Sequence, residues 1–194
     1  GDTTTEPEVL AELNKDANYI FQPVTEMKGG KWYAIVSDNH AATALSSNYG
    51  YLQITDGSAR NNGIVLPASC AFGFLTVDGG FTIQQYDNKY VYQTGTYNSF
   101  NVAATMPDNG AVWSVTVDNN EFTIKNNSVS KFVQYDTQYN SYGSYADKRG
   151  NIPTLYELVE IDNTPVIVSV SAGSLSFAAE GESKEFTVTT LGSA

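Results

Sequence analysis

Thr76-Val77-Asp78-Gly79-Gly80-Phe81-Thr82-Ile83 runs on to Lys89-Tyr90-Val91, and Thr116-Val117-Asp118-Asn119-Asn120-Glu121-Phe122-Thr123-Ile124 runs on to Lys131-Phe132-Val133. The two stretches read as copies of one unit at an offset of about 41 residues, a period that belongs to repeated β-structure. In each copy a Val-Asp step leads into Gly or Asn, residues that tolerate the positive φ of a tight hairpin. Lys31-Trp32 offers a third Lys-aromatic opening, and Asp56-Gly57 after Leu52-Gln53-Ile54-Thr55 a weaker third hairpin. Three units are therefore expected across residues 27–160. The first departs from the period, because Lys31 and Lys89 are about 58 residues apart.

Outward from these repeats the pattern stays that of strands. Lys31-Trp32-Tyr33-Ala34-Ile35-Val36, Tyr51-Leu52-Gln53-Ile54-Thr55 and Gly73-Phe74-Leu75-Thr76-Val77 are short apolar runs bounded by Gly, Asn and Asp, which is the all-β signature. Trp32 and Trp113 lie inside such runs and are expected in the core. Only Val9-Leu10-Ala11-Glu12-Leu13, after Pro7, suggests a short helical turn. Residues 1–26 are accordingly read as an N-terminal tether with a possible short helix.

Composition narrows the function classes. The chain has 194 residues, 41% of them hydrophobic and 16% charged, which is enough apolar material for one full domain and a fragment of another. Its net charge is -11 with ten Lys and Arg. No basic stripe is available to neutralise phosphates, so nucleic acid and an anionic membrane surface are set aside as partners. Cys70 is the single cysteine; in its apolar setting it reads as a small buried hydrophobe. No run is long and apolar enough to cross a bilayer.

Sequential β-units of about 40 residues, and the texture of Trp113-Ser114-Val115-Thr116-Val117 with Phe122-Thr123-Ile124-Lys125-Asn126, resemble the β-trefoil. The Gln-x-Trp signature of ricin-type lectins is absent. The expected fold class is all-β, a trefoil-like or other small closed antiparallel barrel over residues 27–160. After it the composition changes. Asp162-Asn163-Thr164-Pro165 reads as a linker (residues 161–165). Residues 166–194, with Ser174-Leu175-Ser176-Phe177-Ala178-Ala179, a Gly-containing turn and Phe186-Thr187-Val188-Thr189, resemble the opening of a BACON domain, an immunoglobulin-like sandwich abundant in surface proteins of gut Bacteroidetes. That resemblance covers only about 30 residues, two strands of a sandwich that needs about seven. It implies a truncated immunoglobulin-like segment and further C-terminal domains of the same protein. At the other end, Asp2-Thr3-Thr4-Thr5-Glu6-Pro7-Glu8 resembles the polar tether that follows the acylated cysteine of a bacterial lipoprotein. The expectation is export to the cell surface or periplasm on a lipid anchor.

The search for chemistry finds little. His40 is the only histidine, without a nucleophile elbow beside it. No carboxylate stands in an apolar frame that would plainly raise its pKa for glycosidase work. No calcium loop, phosphate loop or dinucleotide fingerprint is present. The expectation is a protein without catalytic residues, metal or cofactor. What stands out is aromatic density beside polar amides. A pyranose offers an apolar C-H face to a ring and hydroxyls to Asp, Asn and Gln. On that basis Tyr135, Asp136, Tyr139, Asn140, Tyr142, Tyr145 and Asp147, with Tyr86 and Tyr97 from the preceding unit, are the candidate ligand-binding residues and a glycan the expected partner. The expected function is a non-catalytic carbohydrate-binding or adhesive module; the alternative is a structural spacer or protein-interaction module. The feature that separates the two is whether these tyrosines share one exposed concave face.

Overall fold

The computed structural model of the chain describes residues 7–47 and 49–164. Fifteen strands form among them: β1 (Asn18–Pro23), β2 (Lys31–Ser37), β3 (His40–Ala42), β4 (Ile54–Asp56), β5 (Ser58–Arg60), β6 (Gly63–Pro67), β7 (Phe72–Val77), β8 (Gly80–Gln85), β9 (Tyr90–Tyr92), β10 (Asn101–Ala103), β11 (Trp113–Asp118), β12 (Glu121–Asn126), β13 (Phe132–Asp136), β14 (Ser141–Tyr145) and β15 (Thr154–Ile161). The pairings named below are antiparallel.

Six of these strands make a barrel. β15 pairs with β2, β2 with β7, β7 with β8, β8 with β11 and β11 with β12. Phe122 N donates to Pro153 O at 2.8 Å and so brings β12 back to the start of β15. Side chains alternate along each strand, so every second residue points inward. Tyr33 and Ile35, Phe72 and Phe74, Ile83, Trp113, Phe122 and Ile124, and Leu155 all meet in one buried cluster. Three short hairpins cap one end: β3 with β4, β9 with β10, and β13 with β14. Barrel strand, cap hairpin, barrel strand thus occurs three times, which is the β-trefoil architecture. Both tryptophans are core, Trp32 at 5% and Trp113 at 0% exposure.

Local chemistry explains the turns. Asp38 and Asn39, Asn61 and Asn62, and Asn119 and Asn120 are consecutive positive-φ pairs at the tips of β2–β3, β5–β6 and β11–β12. Side chains of Asn and Asp support that conformation at low steric cost, and two such residues in a row fit the twist of a two-residue hairpin. The turn expected at Asp56-Gly57 is different. It joins β4, which pairs with β3, to β5, which pairs with β6, and is no hairpin. The barrel has no third covalent copy of the Asp78 and Asp118 turns because β15 and β2, the equivalent pair, lie near opposite ends of the described chain and meet only by hydrogen bonds.

The irregular first unit has a physical cause. The opening barrel strands begin at Lys31, Gly80 and Glu121, so Lys31 is not the counterpart of Lys89 and Lys131, which precede cap strands. The first unit is lengthened by the β5–β6 hairpin. β6 pairs with β1, and β1 in turn with β15, forming an annexe on the outside of the barrel. A second buried cluster fills the space beneath it, including Tyr19, Phe21, Trp32, Ala34, Val36, Leu66 and Cys70. β2 is therefore covered on both faces, and its near-continuous apolar run reflects that.

The N-terminal reading is corrected here. Residues 7–14 form no helix, and β1 lies within the stretch expected to be a tether. Leu10 and Leu13 pack on the second cluster, Trp32 Nε1 donates to Ala11 O at 2.8 Å, and the Glu8 carboxylate accepts from Thr76 N and Oγ1 at 2.7 and 2.6 Å. Tertiary contacts hold an extended strap where a short isolated helix would have had little stability of its own. The expected linker also begins inside β15, and Asp162 is tied down by Arg60 Nη1 at 3.0 Å. The immunoglobulin-like segment expected over residues 166–194 lies outside the described residues.

Candidate functional site

The cap hairpins are stitched to one another in a closed triangle. Leu52 and Tyr142 exchange backbone hydrogen bonds at 3.0 and 2.8 Å, Phe100 N donates to Gly50 O at 2.7 Å, and Ser144 N donates to Asn98 O at 2.8 Å. Two clefts open around this triangle. The first, about 520 Å³, is lined by residues that include Tyr49, Tyr51, Asn98, Tyr139, Tyr145 and Arg149. The second, about 590 Å³, is lined by residues that include Tyr49, Tyr51, Tyr92, Tyr97, Ser99 and Asn101. They share Ser47, Tyr49 and Tyr51, so one segment of the first unit forms the ridge between them.

The aromatic surface of the protein is concentrated here. Tyr49 (85%), Tyr97 (71%) and Tyr139 (65%) are the exposed aromatic side chains among the described residues, and all three line these clefts. Among the described residues no Asp or Glu lines either cleft, although the chain carries 21 of them. The only charged lining residue among the described ones is Arg149.

Arg149 is held from several sides. Buried Gln134 accepts from Arg149 N at 2.7 Å and Gly150 N at 2.9 Å through Oε1, and donates to Asp147 O at 2.9 Å through Nε2, which fixes the loop. Arg149 Nε donates to Asp136 Oδ2 at 3.0 Å. Its guanidinium carbon lies 5.1 Å from the ring centre of Tyr145 and 5.7 Å from that of Tyr139, within cation-π range of both. Tyr145 folds back over its own strand, and Gly143 makes room for it, since a Cβ there would stand 2.6 Å from the Tyr145 hydroxyl. Burial, and after it the charge of Asp136, pushes the Tyr145 hydroxyl pKa well up from its ordinary value.

The nine sequence candidates divide. Tyr97, Tyr139 and Tyr145 line the clefts. Tyr142 does not; it is wholly buried, with its hydroxyl donating to His40 O at 2.7 Å. Tyr135 is 6% exposed, stacked on His40 with ring centres 5.1 Å apart, and its hydroxyl is bonded to the Asn140 side chain. Asp136 is 3% exposed, and its carboxylate accepts from Gln138 N, the Tyr145 hydroxyl and Arg149. Asn140 and Asp147 are exposed but line neither cleft, and half-buried Tyr86 packs against the second cluster and lines neither cleft. The reason is period 2: successive residues of β13 and β14 face opposite ways, so a tyrosine-rich stretch cannot present all its rings to one ligand. Tyr49, Tyr51 and Arg149 were missed. Tyr49-Gly50-Tyr51 carries the same aromatic signal in a polar setting, whereas nothing local marks Arg149.

Elsewhere, His40 Nδ1 and Asp56 Oδ1 are 2.5 Å apart near the surface, away from both clefts. Among the described residues no group of His, Cys, Asp and Glu is arranged to hold a metal ion, and no helix is long and apolar enough to cross a membrane.

No protein-family model and no curated protein matches the sequence. Solved structures do. The chain is similar to a Polyporus squamosus lectin in complex with the human-type influenza-binding epitope Neu5Acα2-6Galβ1-4GlcNAc, at TM-score 0.53 and 14% identity over 70% of this chain and 50% of that one. It is similar to the BEL β-trefoil at TM-score 0.51 and 11% identity, over 70% of this chain and 96% of that one. The likeness is one of fold. A GlcNAcα1-4Gal-releasing endo-β-galactosidase from Clostridium perfringens is similar at TM-score 0.50 and 9% identity over 75% of this chain, which spans 33% of that enzyme. The chain thus spans between a third and a half of the lectin and this glycosidase, and nearly all of the BEL trefoil.

Proposed function

We propose that the protein is a non-catalytic carbohydrate-binding module that seats a glycan in the paired clefts of the trefoil cap. The observation that carries this reading is the convergence of Tyr49, Tyr97 and Tyr139, held 65–85% exposed, on two adjoining concavities. Keeping three large rings in water forgoes the burial that elsewhere drives the fold, and a spacer has no use for it. A sugar ring has one: stacking on its C-H face, with Asn98, Ser141, Gln53, Ser99 and Asn101 at hand for its hydroxyls. The glycan complex of the Polyporus lectin supports the reading, as does the glycan-cleaving activity named for the larger Clostridium enzyme.

The wider setting belongs to the same proposal. The protein is exported, lipid-anchored at the cell surface or periplasm, and followed by further domains, for which it serves as a glycan-gripping accessory. A glycan-array screen of the whole chain beside Tyr49→Ala and Tyr139→Ala variants tests the binding. Saturable binding to one glycan class, lost in folded variants, is expected; a blank array from folded protein would turn the assignment towards a spacer or protein partner. Fatty-acid labelling of the natural product in its host tests the anchor.

A further inference from the structure

Resting on that carbohydrate-binding reading, we infer that the first cleft selects a sugar that bears a carboxylate, which bridges the two terminal nitrogens of Arg149. The chain has a net charge of -11, so its overall field repels an anionic ligand. Among the described residues the first cleft has no Asp or Glu in its lining and, unlike the second, has Arg149 in its wall. A site for neutral sugars ordinarily profits from a carboxylate acceptor for the hydroxyl protons. The chain carries 21 acidic residues, and among the described residues none stands here.

The guanidinium is also prepared for a planar anion. Its Nε is taken by Asp136, while Nη1 and Nη2 have no hydrogen-bond partner among the described residues and its side chain is 44% exposed. Rings on two sides, Tyr139 and Tyr145, restrict its plane, and Gln134 fixes the backbone that carries it. Asp136 balances the formal charge, but its oxygens are occupied by Arg149, Gln138 N and the Tyr145 hydroxyl, and it is 3% exposed. It orients the fork without competing for the cleft. Two parallel N-H donors match the two oxygens of a carboxylate, and Tyr139, 65% exposed beside them, offers its face to the ring that carries it.

The test is an array of matched glycans probed with the whole chain: uronic- or sialic-acid glycans, the same glycans with the carboxyl reduced to an alcohol, and sulfate esters of neutral glycans. The expected result is that the strongest ligands carry a carboxylate and that each carboxyl-reduced twin binds about tenfold more weakly. Arg149→Gln should bring the acidic ligand down to the level of its twin. Arg149→Lys, which keeps the charge without the fork, should lose most of the preference. Equal binding of acidic and reduced twins to wild-type protein overturns the inference and leaves the carbohydrate reading standing, as does a preference for sulfate esters. Full selectivity retained by Arg149→Lys overturns the bidentate contact. A blank array from folded protein overturns both readings. The wild-type comparison decides the question even if a variant fails to fold.

Discussion

Arg149 Nε donates to Asp136 Oδ2 at 3.0 Å, so the one cation among the described residues that line the two cap clefts is oriented from below by a carboxylate that water barely reaches. The pair is asymmetric. Arg149 has 44% of its side chain in solvent and Asp136 4%. Loss of the arginine strands a buried charge, whereas loss of the aspartate charge leaves a guanidinium that water can still solvate.

Asp136→Asn is therefore expected to lower stability by about 1–3 kcal/mol, the usual range for a partly buried charge-assisted contact. Glycan affinity should fall more than stability does, because the fork loses its orientation. Urea unfolding beside glycan titration of the same preparation checks the two together.

The tyrosines of the cap separate into two behaviours. Tyr142→Ala empties a wholly buried site and removes the donor to His40 O, and should cost about 3–5 kcal/mol. Tyr49→Ala and Tyr139→Ala, on exposed rings, should change stability by less than about 0.5 kcal/mol yet weaken glycan binding several-fold. Thermal unfolding and binding curves for the three variants test this; a Tyr139→Ala protein that binds normally would remove that ring from the site.

High pH should unfold the cap. Burial raises the hydroxyl pKa of Tyr135, Tyr142 and Tyr145 above the ordinary 10.0. In each case the native state holds the proton more tightly than the unfolded chain does. Below pH 10 both states are protonated and stability is unaffected; above it the unfolded chain ionises first, so stability falls as pH rises towards the native values. Tyr145→Phe should make that fall shallower. Urea midpoints measured across the alkaline range, with tyrosinate absorbance as a second probe, give the slope.

Asn126 is the polar keystone between the second and third units. Wholly buried, it donates from Nδ2 to Gly110 O at 2.8 Å and accepts from Ser128 N and Val129 N. Asn126→Ala would leave these backbone groups without their partner, at a cost of about 1–3 kcal/mol. Hydrogen exchange should show faster opening around Gly110 and Ser128 than at β7 and β8.

The sequence by itself determined the elements that depend on neighbouring residues. The near-identical copies around Asp78 and Asp118 fixed two hairpins and the period, because turn conformation is set by the residues in the turn. The tryptophans in apolar runs fixed core positions. Only the tertiary structure decided that β1 and β6 wrap the barrel and stretch the first unit, since β1 pairs with β6 and β15, both far from it in the chain. It likewise decided the site. Local composition marked Tyr135 to Tyr145 as rich in rings, but the three tyrosine rings on β13 and β14 are buried, the exposed Tyr139 lies in the turn between them, and the alternation of β14 sends Tyr145 rather than Tyr142 to the cleft wall. Arg149 becomes a binding group only where Gln134, Asp136, Tyr139 and Tyr145 converge on it, and convergence of side chains from separate strands and loops has no signature along the chain.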